Sequence, residues 1–209
     1  MVKIKICGIN NLEDALLAAE LGADALGFIF YPKSPRKVAP ETAREIIAQL
    51  PPFVAAVGVF VDEDAAVVRD LASRVGLDWV QLHGQESPEY CRNLGRKVIK
   101  GFRIKDEDSL RLLADYQGAA QALLLDTYKQ GQVGGTGTAF DWRLAREAKQ
   151  YGRIILAGGL TPENVAQAIA AARPQAVDAA SGTEAAPGRK DPAKLRAFFK
   201  AIRAVEGGR

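Results

Sequence analysis

The side chains suited to chemistry recur along this sequence at the ends of apolar runs. Cys7 closes the alternating stretch Lys3-Ile4-Lys5-Ile6, directly before Gly8. Asp126 closes Ala122–Leu125, a run in which a carboxylate is costly unless solvated or paired. His83, the single histidine, follows Trp79–Leu82, and Arg36 ends the stretch Ser34-Pro35-Arg36. Gly158-Gly159 follow Ile154–Ala157, and Ser181-Gly182 come just after Ala176–Ala179, a run that contains Asp178. A thiol and a carboxyl can move protons as base and acid. A guanidinium clamps carboxylates and phosphates, and glycine lets backbone N–H groups close on an anion. Each residue also has a plainer reading. A free cysteine packs as a small hydrophobe, and Cys91, inside a helical pattern, has only that reading. A lone histidine can fill a rim, an arginine in a loop is usually surface, and glycine pairs make tight turns. Asp62 directly precedes a helical pattern and reads as its cap.

The elements that must position these groups alternate steadily. Buried strands are expected at Ile4–Cys7, Ala25–Phe30, Val54–Val61, Trp79–Leu82, Val98–Phe102, Ala122–Asp126, Ile154–Ala157 and Ala176–Ala179. Between them lie helical patterns at Leu12–Leu21, Pro40–Leu50, Asp64–Val75, Pro88–Leu94, Glu107–Tyr116, Asp141–Gln150, Pro162–Ala172 and Pro192–Val205. Thr161-Pro162-Glu163 and Asp191-Pro192 each set a capping side chain before a proline at the first helical position. Eight strand-plus-helix units in strict order predict an α/β chain with a parallel sheet, and eight is the number that closes as a (β/α)8 barrel, the TIM-barrel fold. A doubly wound open sheet usually carries a glycine-rich fingerprint after its first strand, whereas that turn here reads Cys7-Gly8-Ile9-Asn10. The chain has 209 residues, below the ~250 typical of the barrel, so most loops must be short. No linker interrupts the pattern, and residues 1–209 are expected to form one domain.

In such a barrel the strand ends above meet at one face, and the loops after strands seven and eight frequently bind phosphate. The stretch "GQVGGTGTAFDW", with Gly131, Gly134, Gly135 and Gly137, is long for so lean a barrel and predicts a loop that closes over substrate. Bulk composition narrows the rest. With 28 basic and 25 acidic residues the surface is mixed, and clusters such as Arg189-Lys190 are too short for a nucleic-acid groove. Two cysteines and one histidine leave no disulfide framework and no His-rich metal site. No apolar run reaches the ~18 residues that span a bilayer, and a cytoplasmic protein is expected.

The chain resembles the phosphoribosylanthranilate isomerase family of tryptophan biosynthesis along nearly its whole length. The matching motifs are "KICG" at Lys5–Gly8, "GFIF" with "SPR" ending at Arg36, "VGVF" at Val57–Phe60 and "QLHG" at Gln81–Gly84. They continue with "LLLD" ending at Asp126, "GGTGTAFDW" at Gly134–Trp142 and "LAGGLTPENV" at Leu156–Val165. The resemblance implies a (β/α)8 barrel that needs no cofactor and no metal and rearranges N-(5-phosphoribosyl)anthranilate to 1-(2-carboxyphenylamino)-1-deoxyribulose 5-phosphate. It implies Cys7 as general base, Asp126 as general acid and Arg36 as the clamp on the anthranilate carboxylate. Gly158, Gly159, Ser181 and Gly182 would hold the phosphate, with His83 and Asp178 also substrate-binding. Its partner would be that phosphorylated ribosyl anthranilate, with no nucleic acid or membrane, and the protein would be a monomer or homodimer. Where the family usually reads "DVSSGVE", this chain reads "DAASGTE" at Asp178–Glu184, so Ala180 removes one side-chain phosphate contact. The roles demand a lowered thiol pKa and a raised carboxyl pKa. Lys5 shares the strand face of Cys7. It either pairs with Asp178 beneath the thiol and favours the thiolate, or snorkels to the barrel bottom.

Overall fold

The computed structural model describes residues 1–126 and 142–207. Eight parallel strands close into a barrel in chain order: β1 (Lys3–Cys7), β2 (Ala25–Ile29), β3 (Ala55–Phe60), β4 (Trp79–Leu82), β5 (Val98–Arg103), β6 (Ala122–Asp126), β7 (Ile154–Ala157) and β8 (Ala176–Ala179). The closing pair, β8 on β1, sets Lys5 opposite Asp178. Around the barrel run α1 (Leu12–Glu20), α2 (Pro40–Ile47), α3 (Ala65–Val75), α4 (Pro88–Asn93), α5 (Glu107–Arg111), α6 (Trp142–Glu147), α7 (Val165–Ala172) and α8 (Pro192–Gly207). α5 and α6 tighten into 3₁₀ turns at Leu112–Tyr116 and Ala148–Tyr151. A short hairpin absent from the sequence reading, β9 (Glu184–Ala186) with β10 (Arg189–Lys190), follows β8.

Strand alternation separates two cores. Ile4, Ile6, Leu26 and Phe28 face outward and are buried under the helices. Val57, Ile99, Leu124 and Ile155 face inward and fill the barrel's lower interior. The inward positions above them are polar: Lys5, Gln81 and Asp178 are all buried. The barrel is thus dry below and chemical above.

Most helix starts follow the expected cap chemistry. Asp191 Oδ1 accepts from the N–H groups of Ala193 (2.8 Å) and Lys194 (3.1 Å), and Ser87 accepts from Tyr90. Two expectations are corrected. Asp62 is not the cap of α3; Asp64 is, accepting from Ala66 and Val67. Asp62 adopts a left-handed backbone (φ 51°) and its carboxylate accepts from Gln85 N–H, so it ties the β3 end to the loop after β4. α7 begins at Val165 rather than Pro162, one turn late. Asn164 explains the delay, because its side chain bonds Thr161 N–H (2.8 Å) and the Gly159 carbonyl (2.9 Å) and holds 162–164 as a turn. The glycine-rich loop expected to close over substrate, and the start of the sixth helix at Asp141, lie outside the described residues.

Candidate active site

All of the sequence-predicted site residues line one open cavity of about 610 Å³ at the C-terminal ends of the strands: Cys7, Arg36, His83, Asp126, Gly158, Gly159, Asp178, Ser181 and Gly182. They arrive there from β1, β6, β8 and the loops after β2, β4, β7 and β8.

Cys7 is buried at 6% exposure beside a deliberate gap in β2. A Cβ on Gly27 would stand 2.7 Å from Cys7 Sγ and 3.0 Å from Lys5 Nζ, so only glycine leaves room for both. Lys5 Nζ reaches Asp178 Oδ1 at 2.9 Å with both groups buried. Lys5 therefore pairs with Asp178 beneath the thiol and does not snorkel away. Burial opposes its ammonium, yet Asp178 and Cys7 hold the Lys5 pKa above the ordinary value. For the thiol the balance falls the other way. Burial pushes the Cys7 pKa up, and the pull of Lys5 and Lys190 against it does not win while Asp178 adds to the rise. The lowered thiol pKa demanded by the acid–base roles is thus not present in the free site, because desolvation of a fully enclosed sulfur outweighs two neighbouring cations.

Across the mouth, Asp126 is about a quarter exposed and its Oδ2 lies 3.4 Å from His83 Nε2. Gln81 Nε2 lies 3.2 Å from His83 Nδ1 on the other side of the ring. His83 directly follows β4, two residues beyond Gln81, and both line the cavity. A Cβ on Gly101 would come within 2.5 Å of His83 Nδ1, so β5 too leaves a gap for a functional ring. His83 is bracketed between an amide and a carboxyl, a partner that sequence could not supply. Gln81 Oε1 is buried without a hydrogen bond among the described residues.

Arg36 lies over the end of β1, where a Cβ on Gly8 (φ +81°) would meet its Cδ at 2.9 Å. Its Nε and Nη2 donate to both carboxylate oxygens of Glu184 at 2.8–3.0 Å. Another part of the cavity wall is backbone. Gly158 and Gly159 are left-handed at φ 84° and 64°, conformations that favour glycine. A Cβ on Gly182 would overlap the Leu160 carbonyl, so the β7 and β8 loops touch only because residue 182 is glycine. Ser181 is exposed beside them, with Ala180 also facing the cavity. Cys91, by contrast, is 3% exposed in α4, away from this cavity, and burial pushes its thiol up to about 11.

Sequence reasoning missed Gln81, Gly27, Glu184 and Lys190. Gln81 was detectable, since it sits two residues before His83 within the quoted "QLHG". Gly27 has no local signal, because the side chains it accommodates belong to another strand. Lys190 was read as surface charge and is in fact 3% exposed.

A buried thiol, a carboxyl, a guanidinium and two glycine loops around one cavity at the top of a (β/α)8 barrel match an acid–base enzyme of the TIM-barrel class. The sequence pattern of N-(5'-phosphoribosyl)anthranilate (PRA) isomerase matches residues 4–201. The N-(5'-phosphoribosyl)anthranilate isomerase of Citrifermentans bemidjiense is 57% identical over 196 residues, 94% of each chain. The crystal structure of phosphoribosyl anthranilate isomerase from Thermotoga maritima superposes with a TM-score of 0.91 at 48% identity, covering 98% of this chain and 100% of that one. A second crystal structure, of a phosphoribosyl anthranilate isomerase in complex with reduced 1-(o-carboxyphenylamino)-1-deoxyribulose 5-phosphate, superposes at 0.88 with 45% identity and the same coverage. The chain belongs to the PRA isomerase family and is an isomerase of tryptophan biosynthesis.

Proposed function

We propose that Cys7 and Asp126 carry out, as base and acid, the rearrangement of N-(5'-phosphoribosyl)anthranilate to 1-(o-carboxyphenylamino)-1-deoxyribulose 5-phosphate. The observation that carries this reading is that a thiol and a carboxyl enter one cavity that a guanidinium and two glycine loops also line. The substrate has the matching layout: a carboxylate at one end, a phosphate at the other, and the reacting aminoaldose between. Asp126, protonated, donates to the furanose ring oxygen, and the ring C–O bond breaks to give an open-chain iminium. Cys7, as thiolate, takes the C2 proton, and the electron pair left behind neutralises the iminium as an enolamine. Tautomerisation gives the ketone. Arg36 clamps the anthranilate carboxylate, and N–H groups of the Gly158-Gly159 and Ser181-Gly182 loops hold the phosphate. His83 lies beside Asp126, where it orients the acid. Rigid strand ends hold both proton-moving groups against the reacting carbon.

No cofactor enters this scheme. The whole chain acts as one catalytic domain, and we place it in the cytoplasm, with the small phosphorylated intermediates it handles. Among the described residues no helix is long and apolar enough to cross a membrane. The test is loss of substrate fluorescence on mixing with enzyme, repeated for Cys7→Ala. Normal turnover by that variant removes the thiol base, and a protein that binds the product analogue yet converts nothing is a binder.

A further inference from the structure

The hairpin β9–β10 supplies two charged side chains that the scheme above does not use. Glu184 (4% exposed side chain) and Lys190 (0%) meet at 3.3 Å beneath the loops of the mouth. Lys190 Nζ also donates to the Cys7 carbonyl at 2.7 Å and to the Ala180 carbonyl at 3.1 Å. One ammonium therefore pins the last residue of β1 to the residue that follows β8. Glu184 takes two donors of Arg36, Nε and Nη2, and Gly188 N–H at 3.4 Å. Nη1 of Arg36 makes no hydrogen bond among the described residues, and Arg36 lines the cavity. The hairpin cannot slide, because Lys190 N–H bonds Asp14 Oδ2 (2.8 Å) and a Cβ on Gly188 would press on Asn10 Nδ2.

We propose that Glu184 and Lys190 are positioning residues for the reaction: Glu184 fixes the Arg36 guanidinium with one edge left for the substrate carboxylate, and Lys190 locks the Cys7 end of β1 to the β8 loop. The inference rests on the acid–base reading of Cys7 and Arg36. It gives a buried carboxylate a function that runs against its charge. A negative group beside Arg36 weakens the pull on an incoming anion, so its presence is useful only if orientation outweighs attraction. Around the sulfur stand Lys5 on its own strand, Asp178 on β8, Lys190 on β10 and Arg36 in the β2 loop, with Glu184 between the last two. These five charges sum to +1, and ionisation of Cys7 brings the cluster to neutrality. Removing any one of its three cations, Lys190 among them, would leave the thiolate in a cluster of net negative charge.

The experiment is steady-state kinetics of Glu184→Gln and Lys190→Met, with the pH dependence of Cys7 alkylation by iodoacetamide measured in a Cys91→Ala background. Glu184→Gln should raise KM roughly ten- to hundredfold, the range of a lost charged hydrogen bond, with kcat within about threefold. A KM that falls or stays level would show that Glu184 only neutralises Arg36, and would overturn its positioning role. Lys190→Met should move the alkylation profile to higher pH and lower kcat, whereas an unmoved profile overturns the role of Lys190. Lys190→Met leaves a buried carboxylate short of a partner, so Lys190→Gln, which keeps an N–H donor toward Glu184 without the positive charge, supplies the same thiol readout if Lys190→Met does not fold. Cys7→Ala run alongside separates the two ideas. If it is inactive while these variants behave as wild type, only this inference fails; if it is active, the base assignment fails first.

Discussion

Replacing Gly27 with alanine tests the active-site geometry with a single methyl group. Gly27 is not in the left-handed region, so alanine meets no backbone strain there and acts only through contact. The new Cβ would stand 2.7 Å from Cys7 Sγ, 3.0 Å from Lys5 Nζ and 3.1 Å from Cys7 Cα. Non-bonded heavy atoms of this kind settle at roughly 3.5–4.0 Å, so the sulfur must move by about 1 Å. A displacement of that size at a reacting atom costs about 100-fold in rate. Overpacking adds a stability cost of about 1–3 kcal/mol, which in a chain of this size lowers Tm by roughly 2–12 °C. Expected, then, is a kcat about two orders of magnitude down, with the product analogue bound within a few-fold of wild type, since neither binding end touches residue 27. Kinetics by fluorescence loss, calorimetry of the analogue and a thermal melt measure the three quantities. A Gly27→Ala enzyme with wild-type kcat would refute the placement of the base, and so would a rise in KM with kcat untouched.

Cys7→Ala and Asp126→Asn should each abolish most turnover with the product analogue still bound; borohydride should trap open-chain sugar in Cys7→Ala but not in Asp126→Asn, and equal trapping would remove the separate roles. Arg36→Ala should raise KM by about ten- to a hundredfold with a smaller change in kcat, because the clamp acts in ground and transition states alike. A large fall in kcat at constant KM would contradict it. Cys91 should make the fold sensitive to alkali: its thiol, ordinarily near 9.0, is pushed up to about 11 by burial, so the unfolded chain loses that proton first. Stability present below about pH 9 is then lost as pH rises toward 11, by about 2–3 kcal/mol, and thermal melts of Cys91→Ala should decline less over that window.

Local pattern sufficed for the barrel because each unit announces itself. Buried strands such as Ala122–Leu125 are continuous apolar runs, and side chains such as Asp191 and Ser87 mark helix starts. The same economy located the site, since fold and strand ends together select the rim. What stayed hidden depends on contacts across the sequence. Glu184 and Arg36 are 148 residues apart, and Lys190 and Cys7 are 183 apart. The Lys5–Asp178 pair spans a comparable distance and was nevertheless foreseeable, because barrel closure makes strand eight the neighbour of strand one and alternation turns both residues inward. No such rule reaches a hairpin beyond the last strand. Asp62 and Asp64 show the opposite limit, in which two carboxylates two residues apart compete for one cap and only backbone geometry decides.

The raised thiol pKa, opposite in direction to what the proposed role of Cys7 demands, bears on the order of the steps. A buried sulfur is a poor acid, but once ionised it is for the same reason a strong base. The missing help arrives with the chemistry. On the proposed roles, Asp126 acts first and turns the ring carbon into an iminium, a cation bonded directly to the carbon whose proton Cys7 must take. That charge acts on the sulfur in the same sense as Lys5 and Lys190. Thiolate is therefore favoured most at the moment its target proton becomes acidic. A thiol ionised permanently in the free enzyme would instead expose a nucleophile to every electrophile entering the mouth. On the proposed roles, burying Cys7 beside the gap made by Gly27, among charges from β1, β8 and the hairpin, makes the base depend on the acid step that precedes it.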